Sequence, residues 1–271
     1  RNPQSLNPMQ DRDDLQAADA RLQPFAGGRA RLVIYVGAGL TLLFTLALLG
    51  TAFMLTSETG VRALGMDMRV FWAAGRLALE GEPLATFDMQ RLSAEHNVNP
   101  KEWMPWLYPP GYLALIMPFG AMSFAVAFLV STLLSVALVA LAVRPFVAGI
   151  WPVWLAMALA PAYLPALLIG QNSLLWLAGL LAALAALRSG RWILAGVLIG
   201  CLTLKPQLGL MIPLALLAAG LWRTILAASV TAILLAALPT LAFGLDYWPL
   251  LADRLSEHSE RLLLSITNLF L

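Results

Sequence analysis

The chain has 271 residues, of which 60% are apolar and only 12% charged, with a formal net charge of +2 and a mean hydropathy of +0.79. A soluble domain usually carries about 25% charged residues, so a soluble globular fold is excluded, and no basic patch of the kind that binds nucleic acid is present. The single cysteine, Cys201, excludes an intramolecular disulfide and a cysteine-rich metal site; inside its apolar run it reads as a small packing residue.

Apolar stretches close to 20 residues recur, the length a helix needs to cross the bilayer core. Lipid gives backbone groups no water, so such stretches must be helices. The expected fold is an all-α polytopic membrane protein. Residues 1–32 are polar, mix Arg with Asp, contain Pro3, Pro8 and Pro24, and read as a poorly ordered cytoplasmic tail. The first span is expected at 33–55; it is too long for a signal-peptide core and is followed by no small-residue cleavage pattern. Residues 56–110 read as a polar loop. Gly111–Phe119, between Pro110 and Pro118, is too short to span and is expected at the membrane interface. Further spans are expected at 122–143, at 151–169 with Trp151 and Trp154 as interfacial anchors, and at 173–187 after a turn at Gln171 and Asn172. Residues 192–221 could be one tilted helix, but Lys205-Pro206 breaks the middle, and two short helices meeting there are expected instead. A last span at 224–243 leads to a second polar loop, 244–261, with Tyr247 and Trp248 at its boundary. The domains are thus a tail, 1–32, and a membrane domain, 33–271. The start at Arg1 and the stop in an apolar run at Leu271 are expected to be truncations of a longer chain.

Charge placement sets the orientation. No acidic residue lies between Glu102 and Asp246, and the basic residues of that interval are Arg144, Arg188, Arg191, Lys205 and Arg223. The four arginines sit in short loops, where basic residues mark the cytoplasmic side most reliably, and the tail carries more of them. With these inside, the loops 56–110 and 244–261, the turn at 171–172 and Lys205 share the outer side.

Two charges stand apart from this pattern. On a helical wheel Asp67 falls with Phe71, Ala74 and Ala78, opposite Arg69, Arg76 and Glu80. Its carboxylate therefore points to the apolar side, where burial raises its pKa. It reads either as a general base at the membrane surface or as a first-turn carboxylate favoured by the helix dipole. Lys205 sits in an apolar setting with no acidic residue near it in sequence. An ammonium there needs a partner, either from an outer loop or from an anionic ligand such as phosphate; the alternative is snorkelling to the headgroups. Gln171 and Asn172 could hydrogen-bond a polar ligand or cap the span that follows them. Tyr108 precedes a rigid Pro109-Pro110 re-entry and reads as an interfacial ring. His96 and His258 read as solvated surface histidines. The sequence has no metal-ligand cluster and no glycine-rich phosphate loop.

Taken in order, Asp67-Met68-Arg69-Val70-Phe71-Trp72-Ala73-Ala74, Gly81-Glu82-Pro83-Leu84 with Phe87-Asp88, Tyr108-Pro109-Pro110 with Pro118, Gly170-Gln171-Asn172-Ser173, and Ala195 to Gly200 leading to Leu204-Lys205-Pro206-Gln207 resemble glycosyltransferase family 87, a polyprenyl-phosphate-sugar-dependent group of the GT-C superfamily, from about residue 60 to 245. The resemblance implies a GT-C-like helical bundle with juxtamembrane helices and an active site at the outer leaflet of the plasma (inner) membrane, C-terminally truncated here relative to the family. It implies a hexose, typically mannose, moving from a polyprenyl-phosphate donor to a hydroxyl of a glycan or glycolipid acceptor, with inversion. Asp67 matches the catalytic position; Lys205 would hold the donor phosphate; Gln171, Asn172, Tyr108, Asp88 and His258 are candidate substrate contacts. No cofactor is expected, with a divalent metal left open. The competing readings are a transporter or flippase of a lipid-linked sugar, and a non-catalytic truncated homologue.

Overall fold

In the computed structural model the described residues are 64–96, 103–147, 163–205 and 209–270, with isolated positions between 32 and 50. Their regular structure is helical, and no strand occurs among them. The chain divides into two compact units, Arg1–Thr51 with Val147–Pro165 and Ala52–Phe146 with Ala166–Leu271. The described positions of the first unit are helical; the expected tail and most of the expected spans at 33–55 and 151–169 lie outside the described residues. The rest of the fold concerns the second unit.

Within the segment 56–110, expected as a polar loop with a helical pattern at Asp67, the described residues 64–96 and 103–110 are folded. It holds α1 (Met66–Leu79), a 3-10 turn (Pro83–Phe87) and α2 (Met89–Ala94). Its average polarity conceals a wide apolar stripe: Val70, Phe71, Ala73, Ala74, Leu77 and Ala78 of α1 are all buried, while Arg76 and Glu80 pair on the exposed side. Helix α3 (Pro110–Gly120), expected at the membrane interface, packs into this core, with Tyr112, Leu113 and Ile116 buried. Glycine makes that possible. A Cβ on Gly75 of α1 would stand 2.9 Å from the Ile116 carbonyl oxygen, and one on Gly120 would meet the backbone of Gly75 and Arg76, so the two helices cross with nothing between their backbones. Trp72 Nε1 donates to the Met122 carbonyl at 2.9 Å and fixes the end of α3.

Helices α4 (Phe124–Val147), α5 (Tyr163–Ile169), α6 (Ser173–Arg188) and α7 (Trp192–Cys201) follow. A 3-10 turn (Leu202–Leu204) ends at Lys205, and the chain resumes in α8 (Ile212–Ala218), so residues 192–221 are two short helices. Helix α9 (Trp222–Phe243) comes next. Phe124–Phe146 and Trp222–Phe243 are long and apolar enough to cross a membrane. They differ from the core helices of a soluble protein in turning their large side chains outward: Leu226, Ile233 and Leu241 of α9 are 68%, 64% and 83% exposed. Apolar surface of that extent is stable against lipid, not water.

The second expected loop, 244–261, is the first part of α10 (Tyr247–Phe270). Here too a high polar content hides a helical period. Tyr247 and Leu251 are buried while Asp253, Glu257 and Glu260 face out. Tyr247 carries the contact to the core: Trp106 Nε1 donates to its hydroxyl at 2.7 Å, and that hydroxyl donates to the Tyr108 carbonyl at 3.0 Å.

Candidate functional site

The site forms where the start of α1 meets the α5–α6 turn and the end of α7. The Gly65 amide donates to the Leu168 carbonyl at 2.6 Å, tying the start of α1 to α5. The turn then passes through Gly170 at φ 72°, a left-handed conformation open to glycine. A Cβ there would stand 3.2 Å from the Met68 backbone nitrogen and closer still to the Met68 side chain. This close approach sets Gln171 and Asn172 beside Asp67, 104 residues away in sequence for Gln171.

Asp67 is 6% exposed. Its Oδ2 accepts a hydrogen bond from Gln171 Nε2. Burial raises its pKa above the ordinary carboxylate value, and the Lys205 charge and the Gln171 bond pull it part of the way back. From the other side, Lys205 Nζ donates to Gln171 Oε1 at 2.9 Å, Asn172 Oδ1 at 2.9 Å and Ser173 Oγ at 3.0 Å. Gln171 thus stands between carboxylate and ammonium. Its amide has one workable orientation. The oxygen faces two donors, Lys205 Nζ and the Asn172 backbone N–H at 3.0 Å, and the NH2 faces the carboxylate; reversed, like would face like on both sides.

The partner that the isolated Lys205 ammonium requires is therefore a cradle of three neutral oxygens, with Asp67 acting through space behind it. Asn172 occupies the N-cap position of α6 but makes no capping bond; its side chain accepts from Lys205 instead. Tyr112 lies beside Asn172 in the lining of the cavities around the site. Tyr108 is packed in an aromatic cluster, 5.2 Å from Phe71 and 4.6 Å from Tyr112 between ring centroids. Burial and the Asp67 charge both push its phenol pKa up. Ser173 and Tyr112 were missed in sequence. Ser173 adjoins the Gln171-Asn172 pair and Tyr112 follows Tyr108 by four positions, but neither carries a charge to mark it.

Two cavities flank this cluster. One, of about 260 Å³, is lined by Met68, Phe71, Gln171 and Asn172 together with Ser131, Thr132 and Ser135 of α4. The other, of about 160 Å³, is lined by Lys205, Trp176, Leu198, Cys201 and Leu204. Tyr112, Leu115, Asn172 and Leu175 line both and form the wall between them. Trp176 Nε1 donates to the Leu202 carbonyl at 3.2 Å and holds the turn that presents Lys205.

The remaining candidates lie elsewhere. Asp88 is exposed and caps α2, its Oδ1 accepting from the Gln90 amide at 2.8 Å and the Arg91 amide at 3.4 Å. His258 is on α10, beside Met89, Pro105, Arg254, Glu257 and Arg261. Neither lines the two cavities. His96, expected as a solvated surface residue, is half-buried among Trp72, Trp103 and Phe124. Its Nδ1 lies 3.2 Å from Arg69 Nη1 and its Nε2 3.2 Å from the Arg69 carbonyl. The neutral Nε2–H tautomer satisfies both contacts, and burial lowers its pKa to about 4. Arg69 in turn lies over the Phe124 ring at 4.1 Å rather than on a solvated face, because its apolar stem and planar head fit an aromatic wall.

The fold and the cluster define an all-α membrane protein in which a buried carboxylate and an ammonium face one another across an amide. Its family can be stated. The model for glycosyltransferase family 87 matches residues 106–270, and the chain belongs to that family. Tyr108, Gln171, Asn172 and Lys205 fall within the matched stretch and Asp67 precedes it. No curated protein and no solved structure matches the chain. A glycosyltransferase uses a sugar donor and an acceptor.

Proposed function

We propose that the protein transfers a hexose, mannose first among them, from a polyprenyl-phosphate donor to an acceptor hydroxyl at the outer face of the plasma membrane. The observation that carries this reading is the Asp67–Gln171–Lys205 arrangement: a base and an anion holder joined through one amide, with Gln171 lining one cavity and Lys205 the other. Lys205 binds the donor phosphate, which exchanges with the cradle oxygens, and the first prenyl units enter the apolar cavity beside it. The acceptor hydroxyl gives its proton to Asp67 while its oxygen attacks the anomeric carbon. The bond from that carbon to the phosphate oxygen breaks, polyprenyl phosphate leaves with the electron pair, and configuration at the carbon inverts. The leaving phosphate gains charge next to Lys205, where a cation in a water-poor site is most effective. Burial of Asp67 keeps its pKa nearer the operating range of a general base than that of a solvated carboxylate. Lys205 supplies the positive charge the step needs, so retained transfer in excess chelator is the expected behaviour. The arginines in short loops orient this face outward and the N-terminus toward the cytoplasm, with residues 33–271 forming the membrane domain.

The test uses membranes containing the protein, radiolabelled polyprenyl-phosphate mannose and a membrane extract as acceptor pool. Labelled product is expected, and Asp67→Asn is expected to lower transfer at least about 100-fold at undiminished protein level, the usual range for loss of a general base. Product formation by that variant at the wild-type rate removes Asp67 from the mechanism. Absence of transfer from mannose-, glucose- and arabinose-linked donors favours a lipid-sugar transporter.

A further inference from the structure

Gln171 bonds both charges of the site, yet its own position depends on neither. Its backbone N–H donates to the Ala166 carbonyl at 2.7 Å and closes the end of α5 beside the Gly170 turn. The start of α1 is tied to the same end of α5 through Gly65 and Leu168, so Asp67 and Gln171 share one anchor. Two donors hold the side-chain oxygen of Gln171: Lys205 Nζ at 2.9 Å and the backbone N–H of Asn172 at 3.0 Å. The second is set by the chain itself. A phosphate that takes over the Lys205 ammonium removes the first donor and leaves the second, and with it the orientation of the amide. On its other side Gln171 Nε2 donates to Asp67 Oδ2, and the Asp67 side chain makes no other hydrogen bond among the described residues. Asp67 is 6% exposed, and its Oδ1 is not one of the fully enclosed, unpartnered atoms of the described residues, which leaves that oxygen open to an incoming hydroxyl.

We infer that Gln171 is a positioning residue for the base and not a substrate contact: its amide fixes the Asp67 carboxylate by Oδ2 and leaves Oδ1 to take the acceptor proton, with donor bound or absent. The inference rests on the functional reading above. In that cycle Lys205 changes partners, while Gln171 keeps its hold on Asp67 throughout. The titratable groups that face Asp67 are Lys205, from the turn after α7, and the phenols of Tyr108 and of Tyr112 on α3. Arg69 of α1 is turned away, over the Phe124 ring. Burial pushes both phenol pKa values up and keeps the rings neutral, so Lys205 and the Gln171 amide are what favour the charged form of Asp67. Deleting the amide takes a donor from the carboxylate and raises the pH at which the base form appears.

The experiment substitutes Gln171→Met, which keeps the length of the side chain and removes its donor and acceptor. Two readouts are taken on the full chain. One is the carboxyl band of Asp67 in infrared difference spectra across pH, assigned by its loss in Asp67→Asn. The other is kcat and KM for polyprenyl-phosphate mannose across pH. Asp67 is expected to titrate at higher pH, with the acid limb of kcat/KM following it. On the plateau kcat falls roughly 10- to 100-fold as the base loses its alignment. The donor KM does not rise, because Lys205 keeps Asn172 and Ser173. Gln171→Glu, of the same length, donates to Asp67 only while it carries a proton. It is expected to retain activity at low pH and to show an alkaline limb at lower pH than wild type. A raised donor KM with the Asp67 titration unmoved makes Gln171 a substrate contact and overturns the inference. A loss of rate with both unmoved makes it merely structural and overturns the inference too. Absence of transfer by wild type overturns the functional reading, and the inference with it; an unmoved Asp67 titration in an active enzyme overturns the inference alone.

Discussion

Replacing Lys205 by Met keeps the length and apolar stem of the side chain and removes its charge. Three hydrogen bonds go with it, at 2.9, 2.9 and 3.0 Å. The cradle oxygens lose a donor, but Lys205 is only half-buried and water can replace the ammonium, so the stability cost is small, about 1–2 kcal/mol. The cost to the reaction is larger. A fixed positive group facing developing charge in a water-poor site is worth about 3–4 kcal/mol, or 100- to 1,000-fold in rate. A second effect is qualitative. Against the effect of burial, the Lys205 charge is the larger of the two influences that lower the Asp67 pKa, the Gln171 bond being the other. Without it the carboxyl pKa rises further, the base form is populated only at higher pH, and the acid limb of the rate profile moves to higher pH. The assay is kcat/KM for polyprenyl-phosphate mannose across pH in membranes, with Lys205→Arg alongside. Arg restores charge but presents a planar fork where the cradle is built for three bonds from one nitrogen, so partial recovery of rate is expected, with the acid limb back near its wild-type position. Transfer by Lys205→Met within 10-fold of wild type, or a rate loss with the acid limb unmoved, refutes the reasoning.

Two further predictions concern the frame of the site. Tyr247→Phe leaves Trp106 Nε1 and the Tyr108 carbonyl without a partner in a fully buried place; at about 1–3 kcal/mol for each group, thermal unfolding is expected to fall by about 5–10 °C, and an unchanged unfolding temperature would show that α10 does not hold the Tyr108 turn. His96 binds its proton less readily folded than unfolded, its pKa falling from 6.5 to about 4. Its contribution is therefore complete above about pH 6.5 and is lost as pH falls toward 4, at most about 3 kcal/mol in all. His96→Gln should flatten that part of the stability-against-pH curve; an unaltered slope between pH 6.5 and 4 places the acid sensitivity elsewhere.

The architecture was largely legible in the sequence because lipid imposes one simple rule: long apolar runs are helices. The break before Lys205 was legible too, since a charge and a proline in an apolar run leave few alternatives. What the sequence concealed lay in mixed segments. In 56–110 the wheel from Asp67 to Ala78 marked one helix but not α2, and 244–261 averages out as polar, with only the phase of Tyr247 and Leu251 marking a helix with a buried face. At the site, the wheel placed the Asp67 carboxylate correctly on the apolar side, because it requires only periodicity within one helix. It could not give the cradle. That depends on Gly170 resting on Met68, a contact across about 100 residues, and on the Asn172 side chain turning away from the helix end it could have capped. His96 was misjudged for a related reason: an imidazole in a polar stretch reads as solvated until the aromatic rings around it are known.

The Lys205 cradle has a consequence for the whole catalytic cycle. Its oxygens belong to neutral groups, so under the proposed reaction an incoming phosphate would meet an ammonium with its charge intact, where a carboxylate partner would have cancelled it in advance. Gln171, Asn172 and Ser173 do the work of a hydration shell around the ammonium, and under the proposed reaction they would close on it again once the lipid phosphate has left. The protein carries its own small portion of solvent beside the ammonium, and product could then leave without stranding a bare charge.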